Sequence, residues 1–175
     1  MTCLLSIISE IRRMSESAPN PTFRGLLARP VDLLAFGLGS GLSPQAPGTA
    51  GTLAAAAIWL TLPAPSFPLA LLLICAATVA GVWICGRTTA RLGGGDHPGI
   101  VWDEFAGCWI TLALVPAGWQ WALAGLLLFR LLDILKPWPI KQLDRNIKGG
   151  LGIMLDDVVA GIMAALCMQC VRLLA

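Results

Sequence analysis

Apolar residues in this chain run in long blocks separated by short polar stretches, and the blocks are apolar nearly all round rather than along one stripe. Five blocks, at residues 51–62, 67–85, 100–115, 119–135 and 151–174, follow a polar, proline-rich stretch near residue 20 and the short segment GLLARPVDLLAFGL. The pattern predicts an all-α protein, a multipass membrane bundle of about five apolar helices. Several blocks fall short of the roughly 20 residues that cover a bilayer core, so full crossing is open for the first and third. Residues 1–24 read as a separate N-terminal segment and residues 25–175 as the helical domain. Within the former, Leu4, Ile7, Ile8 and Ile11 keep helical spacing, which suits either a short surface-lying helix or a frayed terminus.

Composition turns this pattern into a class. Hydrophobic residues make up 57% of the 175, charged residues only 13%, and mean hydropathy is +0.77, all far from the soluble average. A net charge of +2, with no basic stripe interleaved with aromatics, argues against a nucleic-acid partner. The cations gather at block ends instead. Arg87 and Arg91 follow the second block, and Lys136, Lys141, Arg145 and Lys148 fill the loop between the fourth and fifth. The positive-inside rule puts both loops on the cytoplasmic side and the turns PAPSFP and PAG on the other.

Six cysteines sit mostly inside apolar blocks, where they behave as small hydrophobes and imply no disulfide framework. Cys167 and Cys170 have half the spacing of a zinc site but no second pair. The amino-terminal MTCLLSIISEIRRMSES carries an acid in its apolar part and its arginines after it, so no secretory signal is expected.

The hairpin of the third and fourth blocks predicts which distant residues share a level. Asp103 and Glu104 precede Pro116 by 13 and 12 positions, and Arg130 and Asp133 follow it by 14 and 17. At about 1.5 Å per residue both groups lie roughly 18–26 Å from the turn. Asp156 and Asp157 reach the same level from the basic loop. Five acids at one depth repel unless something positive lies among them, and Arg130 alone cannot neutralise them all. A divalent cation completes such a set; oxygen ligands favour Mg²⁺, with Mn²⁺ an alternative. The contending structural reading is a network of ion pairs, with Arg130 on Asp133 and Asp157 capping a helix.

Other motifs add less. SPQAPGTAGT places Gly48, Thr49, Gly51 and Thr52 at a helix start, where backbone N–H groups bind anions, but capping by Thr49 fits equally and the lysine of a Walker A loop is missing. His97 is the only histidine, which excludes mechanisms needing a histidine nucleophile and a second histidine acid. Asp96 and His97 suit proton transfer or a helix cap, the cap being favoured. What remains is cation-assisted attack by water on a phosphomonoester.

The blocks GLGSGLSPQAPGTAGTLAA, DHPGIVWDEFAGCWITL and FRLLDILKPWPIKQLDRNIKGGLGIMLDDVVAG, in that order, resemble the phosphatidylglycerophosphatase A family of bacterial membrane enzymes. The resemblance covers roughly residues 36–167. It implies Mg²⁺-dependent hydrolysis of the terminal phosphomonoester of phosphatidylglycerophosphate to phosphatidylglycerol, in phospholipid biosynthesis, by a multipass protein of the bacterial inner membrane with its metal site facing the cytoplasm. The motif acids are Asp103, Glu104, Asp133, Asp156 and Asp157. Among them Glu104, Asp156 and Asp157 are assigned as Mg²⁺ ligands and Asp103 or Asp133 as the group activating water. Thr49, Arg130, Lys136, Arg145 and Lys148 are assigned to the substrate. Two other functions use acids in a membrane: a small cation transporter, which needs acids spread through the depth, and a lipid phosphotransferase, which needs a nucleotide-bearing donor pocket.

Overall fold

A computed structural model describes residues 21–63, 65–95 and 97–174. The N-terminal helical spacing at Leu4 to Ile11 and the reading of Asp96 lie outside these residues. The regular structure of the described residues is all helical, without strands: α1 (Phe23–Leu27), α2 (Pro30–Ala35), a 3₁₀ turn (Gly37–Leu42), α3 (Pro47–Thr61), α4 (Phe67–Arg91), α5 (Trp102–Leu114), α6 (Trp119–Leu135), α7 (Ile140–Asn146) and α8 (Gly149–Leu174).

All five apolar blocks are helices, and local chemistry sets several of their ends. Pro47 opens α3 in its first turn, where the missing N–H costs nothing. Val115 at the end of α5 is extended, at ψ 155°, as expected of a residue before proline. Gly118, at φ 129°, turns the chain into α6. Two ends move relative to the sequence pattern. The first block begins four residues earlier, at Pro47 instead of residue 51, and α4 continues past residue 85 through the polar run to Arg91. That extension survives because α2 covers it: Thr88 is buried and donates to Asp32 Oδ1 at 3.0 Å.

α8 is the central column, packed against α4, α5, α6 and α7, while α5 also packs against α3, α4 and α6. The α5–α8 crossing is close because glycines face each other there. A Cβ on Gly161 would lie 2.5 Å from the Gly107 carbonyl oxygen and 3.0 Å from its Cα. Thr111 Oγ1 donates within α5 to Gly107 O at 2.9 Å and lies 3.4 Å from Gly161 O across the seam, the small-residue and hydroxyl chemistry by which apolar helices approach without a polar surface between them. Around the crossing, Phe105 and Phe129 are fully buried, and Trp102 stacks on Phe105 at 5.2 Å.

α4 and α8, of 25 and 26 residues, are long and apolar enough to cross a membrane; a third and a half of their most apolar stretches are buried in protein. The remaining apolar surface faces outward, with Leu72, Val79, Leu127, Ile134 and Leu166 all exposed. At about 1.5 Å per residue, α5 with its 13 residues is only about 20 Å long. Gly161→Ala should lower the unfolding midpoint in detergent by the equivalent of about 1–3 kcal/mol, the usual cost of overpacking a tight contact. An unchanged midpoint would mean that α5 and α8 are not in backbone contact.

Candidate active site

The acids are brought together by three helix ends. Asp103 and Glu104 lie in the first turn of α5, Arg130 and Asp133 in the last two turns of α6, and Asp156 and Asp157 in the third turn of α8. The hairpin arithmetic therefore holds: Arg130 Nη1 donates to Glu104 Oε2 across the hairpin and to Asp133 Oδ2 at 2.8 Å. From α3, Thr52 Oγ1 donates to the same Glu104 oxygen at 2.7 Å. Gly48 permits that approach, since a Cβ there would collide with Glu104 Oε1 and lie 2.9 Å from Arg130 Nη2.

Carboxylate oxygens of Glu104, Asp133 and Asp157 all lie within 4.8 Å of one another. Asp157 is 2% exposed, and its Oδ2 is buried without a hydrogen-bond partner among the described residues. A buried carboxylate oxygen left without a donor is costly, and here it faces two further acids. Three carboxylates at this spacing with one unmet buried acceptor make an all-oxygen donor set, the ligand chemistry that suits a small hard cation such as Mg²⁺.

Asp156 is engaged elsewhere. It accepts from Lys136 Nζ at 2.5 Å, and the same ammonium donates to Asp144 Oδ1 at 2.8 Å. Burial works against the charge on Lys136, but the bonds to Asp144 and Asp156 outweigh it and hold its pKa above the usual lysine range. The Lys136 bond likewise holds the Asp144 carboxyl below its usual range. Asp103 Oδ1 accepts from the Glu104 N–H at 3.0 Å.

These groups open into one cavity of about 180 Å³, lined by the five acids together with His97, Lys136, Asp144 and Lys148. His97 was expected to cap the third helix. Instead its Nδ1 accepts from the Gly99 N–H at 3.0 Å, and its ring lies 5.3 Å from Phe36. An acceptor Nδ1 in the neutral ring leaves the proton on Nε2, and burial lowers the His97 pKa, which favours that neutral form.

Of the residues assigned to the substrate, Lys136 and Lys148 line the cavity, whereas Thr49, Arg130 and Arg145 do not. Arg130 stands behind Glu104 and Asp133. Thr49 is exposed on α3, and it is not the cap: that position is Ala46, at φ 46°, with no side-chain cap bond. Capping by Asp157 is also excluded, since Asp157 lies in the third turn of α8. Two roles were missed. Thr52 serves Glu104, and Asp144 holds Lys136; the available signal for the second was one acid in an otherwise basic loop.

Fold and site together define a helical protein with a buried, partly compensated carboxylate cluster open to one cavity. Residues 33–172 match the family model described as Phosphatidylglycerophosphatase A, and the chain belongs to that family. It is 49% identical over 140 residues to Phosphatidylglycerophosphatase A of Escherichia coli, covering 79% of this chain and 81% of the relative. It is 44% identical over 149 residues to the protein of the same name from Haemophilus influenzae, covering 84% and 91%. A Bacteroides thetaiotaomicron protein named "Putative phosphatidylinositol-3-phosphatase" is 43% identical over 138 residues, covering 74% and 86%. No solved structure gives a significant match.

The partly buried neutral His97 has a consequence for stability. Its folded pKa lies below the ordinary 6.5, so as pH falls the unfolded chain takes up the proton first. The contribution is complete above pH 6.5 and is lost as pH drops through the folded value. Between pH 7 and 5, His97→Gln should lose less thermal stability than the unaltered protein; parallel losses would place the ring in water.

Proposed function

We propose that the chain hydrolyses the terminal phosphomonoester of phosphatidylglycerophosphate, giving phosphatidylglycerol and phosphate for phospholipid synthesis, in a membrane that it crosses several times. The observation carrying this reading is the meeting of Glu104, Asp133 and Asp157 beside a cavity lined by Lys136 and Lys148, in a member of this family.

The residues that would hold Mg²⁺ are Glu104, Asp133 and Asp157; Asp133 thus takes the ligand role first assigned to Asp156. Bound there, the ion supplies Lewis acidity, drawing charge from a phosphoryl oxygen and making water more acidic. The chain's own groups do the rest. Lys136 and Lys148 receive the phosphate dianion, and His97 offers its Nε2–H as a neutral donor. Asp103, with one oxygen committed to a backbone N–H, takes a proton from water through the other. The water oxygen attacks phosphorus, the bond from phosphorus to the glycerol oxygen breaks, and that oxygen leaves as a hydroxyl, protonated from the open side of the cavity. Asp156 and Asp144 hold Lys136 in place. Arg130 acts as a positioning residue, its planar fork joining Glu104 to Asp133.

The outward apolar side chains of α4 and α8 support a bilayer setting. Arg87 and Arg91, with the Lys136 to Lys148 loop, favour a cytoplasmic site. A cation transporter would need polar groups along the bundle, whereas the cavity between α4, α5 and α8 is lined, apart from Thr78, by apolar side chains such as Phe67, Ile74, Ile110 and Ile162. The name of the Bacteroides relative favours one second reading within the same chemistry, a phosphomonoester on a different lipid head group.

Phosphate release should be measured in micelles from phosphatidylglycerophosphate and phosphatidylinositol 3-phosphate, with Mg²⁺ and after chelation. The first substrate should be preferred, chelation should stop turnover, and Asp157→Asn should lower it by roughly 100-fold, the scale of losing one preorganised charge-stabilising group. Preference for the inositol lipid would establish the second reading, and no release of phosphate from folded protein would sink both. Arg130→Lys keeps the charge but not the fork; kcat should fall about 10-fold, as for other groups that orient ligands, with KM little changed. A raised KM at unchanged kcat would instead make Arg130 a phosphate clamp.

A further inference from the structure

A second charged surface lies outside the carboxylate site. α2 packs across the Arg91 end of α4, leaving a cavity of about 540 Å³ lined by Arg29, Asp32, Arg87 and Arg91 with Ala28, Pro30 and Val31. Asp32, its one carboxylate, is buried to 3% exposure and is spent inside the wall: Thr88 Oγ1 donates to it at 3.0 Å and Arg91 Nη2 pairs with it at 2.8 Å. A carboxylate removed from water is costly unless it is paired. Its structural effect is to fix Arg91 at the cavity. Arg29 and Arg87 are exposed and pair with no carboxylate among the described residues.

Three guanidiniums against one acid leave a net charge of +2 at this cavity. Its surroundings are those of a membrane interface. The Arg87 guanidinium lies over the exposed Trp83 ring, 5.6 Å from its centroid, and tryptophan gathers at head-group level. On α1, Phe23 and Leu27 are exposed beside Arg24, an apolar edge next to the charge. A carboxylate-poor, guanidinium-rich pocket suits a phosphodiester, which presents two oxygens to a planar fork. It offers no group placed to activate water, so a lipid held here is bound and not turned over.

We propose that the Arg29–Arg87–Arg91 cavity is a non-catalytic site for the phosphodiester head group of an anionic bilayer phospholipid. The proposal rests on the reading that α4 crosses the membrane with its Arg91 end at the interface, and it does not require the hydrolytic reaction.

The test compares unaltered protein with Arg29→Gln/Arg87→Gln in phosphatidylcholine micelles, adding phosphatidylglycerol, more phosphatidylcholine or inorganic phosphate and following thermal unfolding. Phosphatidylglycerol should raise the midpoint of the unaltered protein by a few degrees through preferential binding to the folded state. Most of that rise should vanish in the double variant, whose midpoint in phosphatidylcholine alone and rate of phosphate release should match the unaltered protein. Phosphatidylcholine and inorganic phosphate should have no such effect. An equal rise in the variant, or with phosphatidylcholine, overturns the proposal, and a rise with inorganic phosphate alone reassigns the cavity to free anions. If the double variant is destabilised, Arg87→Gln alone should lose at least half of the rise, and retention of all of it is equally fatal. Absence of phosphate release with the lipid-dependent rise intact would count against the hydrolase reading and leave this site standing.

Discussion

Carboxylates held together out of water repel, and the arrangement of this protein follows from having to contain that repulsion where α5, α6 and α8 meet. Two unit charges about 5 Å apart interact by roughly 3 kcal/mol at an effective dielectric near 20, so three such acids cannot all stay ionised without compensation. Arg130 and Thr52 supply part of it on Glu104, and Arg130 extends to Asp133. Lys136 pairs with the neighbouring Asp156 and keeps a fourth charge from the trio. Asp157, with an oxygen lacking any donor among the described residues, is where compensation stops short, and that deficit is the ground for the proposed Mg²⁺ site.

The same constraint explains why the surrounding helices approach so closely. Asp157 and Gly161 are one turn apart on α8, and Gly107 is nearly one turn beyond Glu104 on α5. The glycine crossing thus sits directly beneath the acids and sets their spacing. Small residues at the seam substitute van der Waals contact for hydrophobic burial, which leaves the bulky side chains of these helices free to face outward. The acids and most of the cations among the described residues sit at one end of the bundle, and apolar surface covers its sides.

Sequence legibility differed sharply between levels. The five blocks became five helices because a run of apolar residues of that length has few other ways to satisfy its backbone. The meeting of Glu104 with Arg130 was also readable, since helical rise is nearly constant and a tight PAG turn fixes the register of the hairpin. Short elements were not: α1, α2 and α7 span five, six and seven residues, too few for periodicity to register. The polar end of α4 was lost to the same rule, because Thr88 and Thr89 look like loop residues until Asp32 and α2 cover that end.

By itself, then, the sequence determined a helical, apolar chain with its motif acids and loop cations at one level, because composition, block length and helical rise are local quantities. Tertiary structure alone decided how those charges divide. Which acids converge, which one turns to a lysine, whether Thr52 meets an anion or Glu104, and whether His97 caps a helix or faces the cavity all depend on distances between helices. Those distances are set by side-chain volumes at the crossings, chiefly at Gly48, Gly107 and Gly161, and no one-dimensional pattern encodes them.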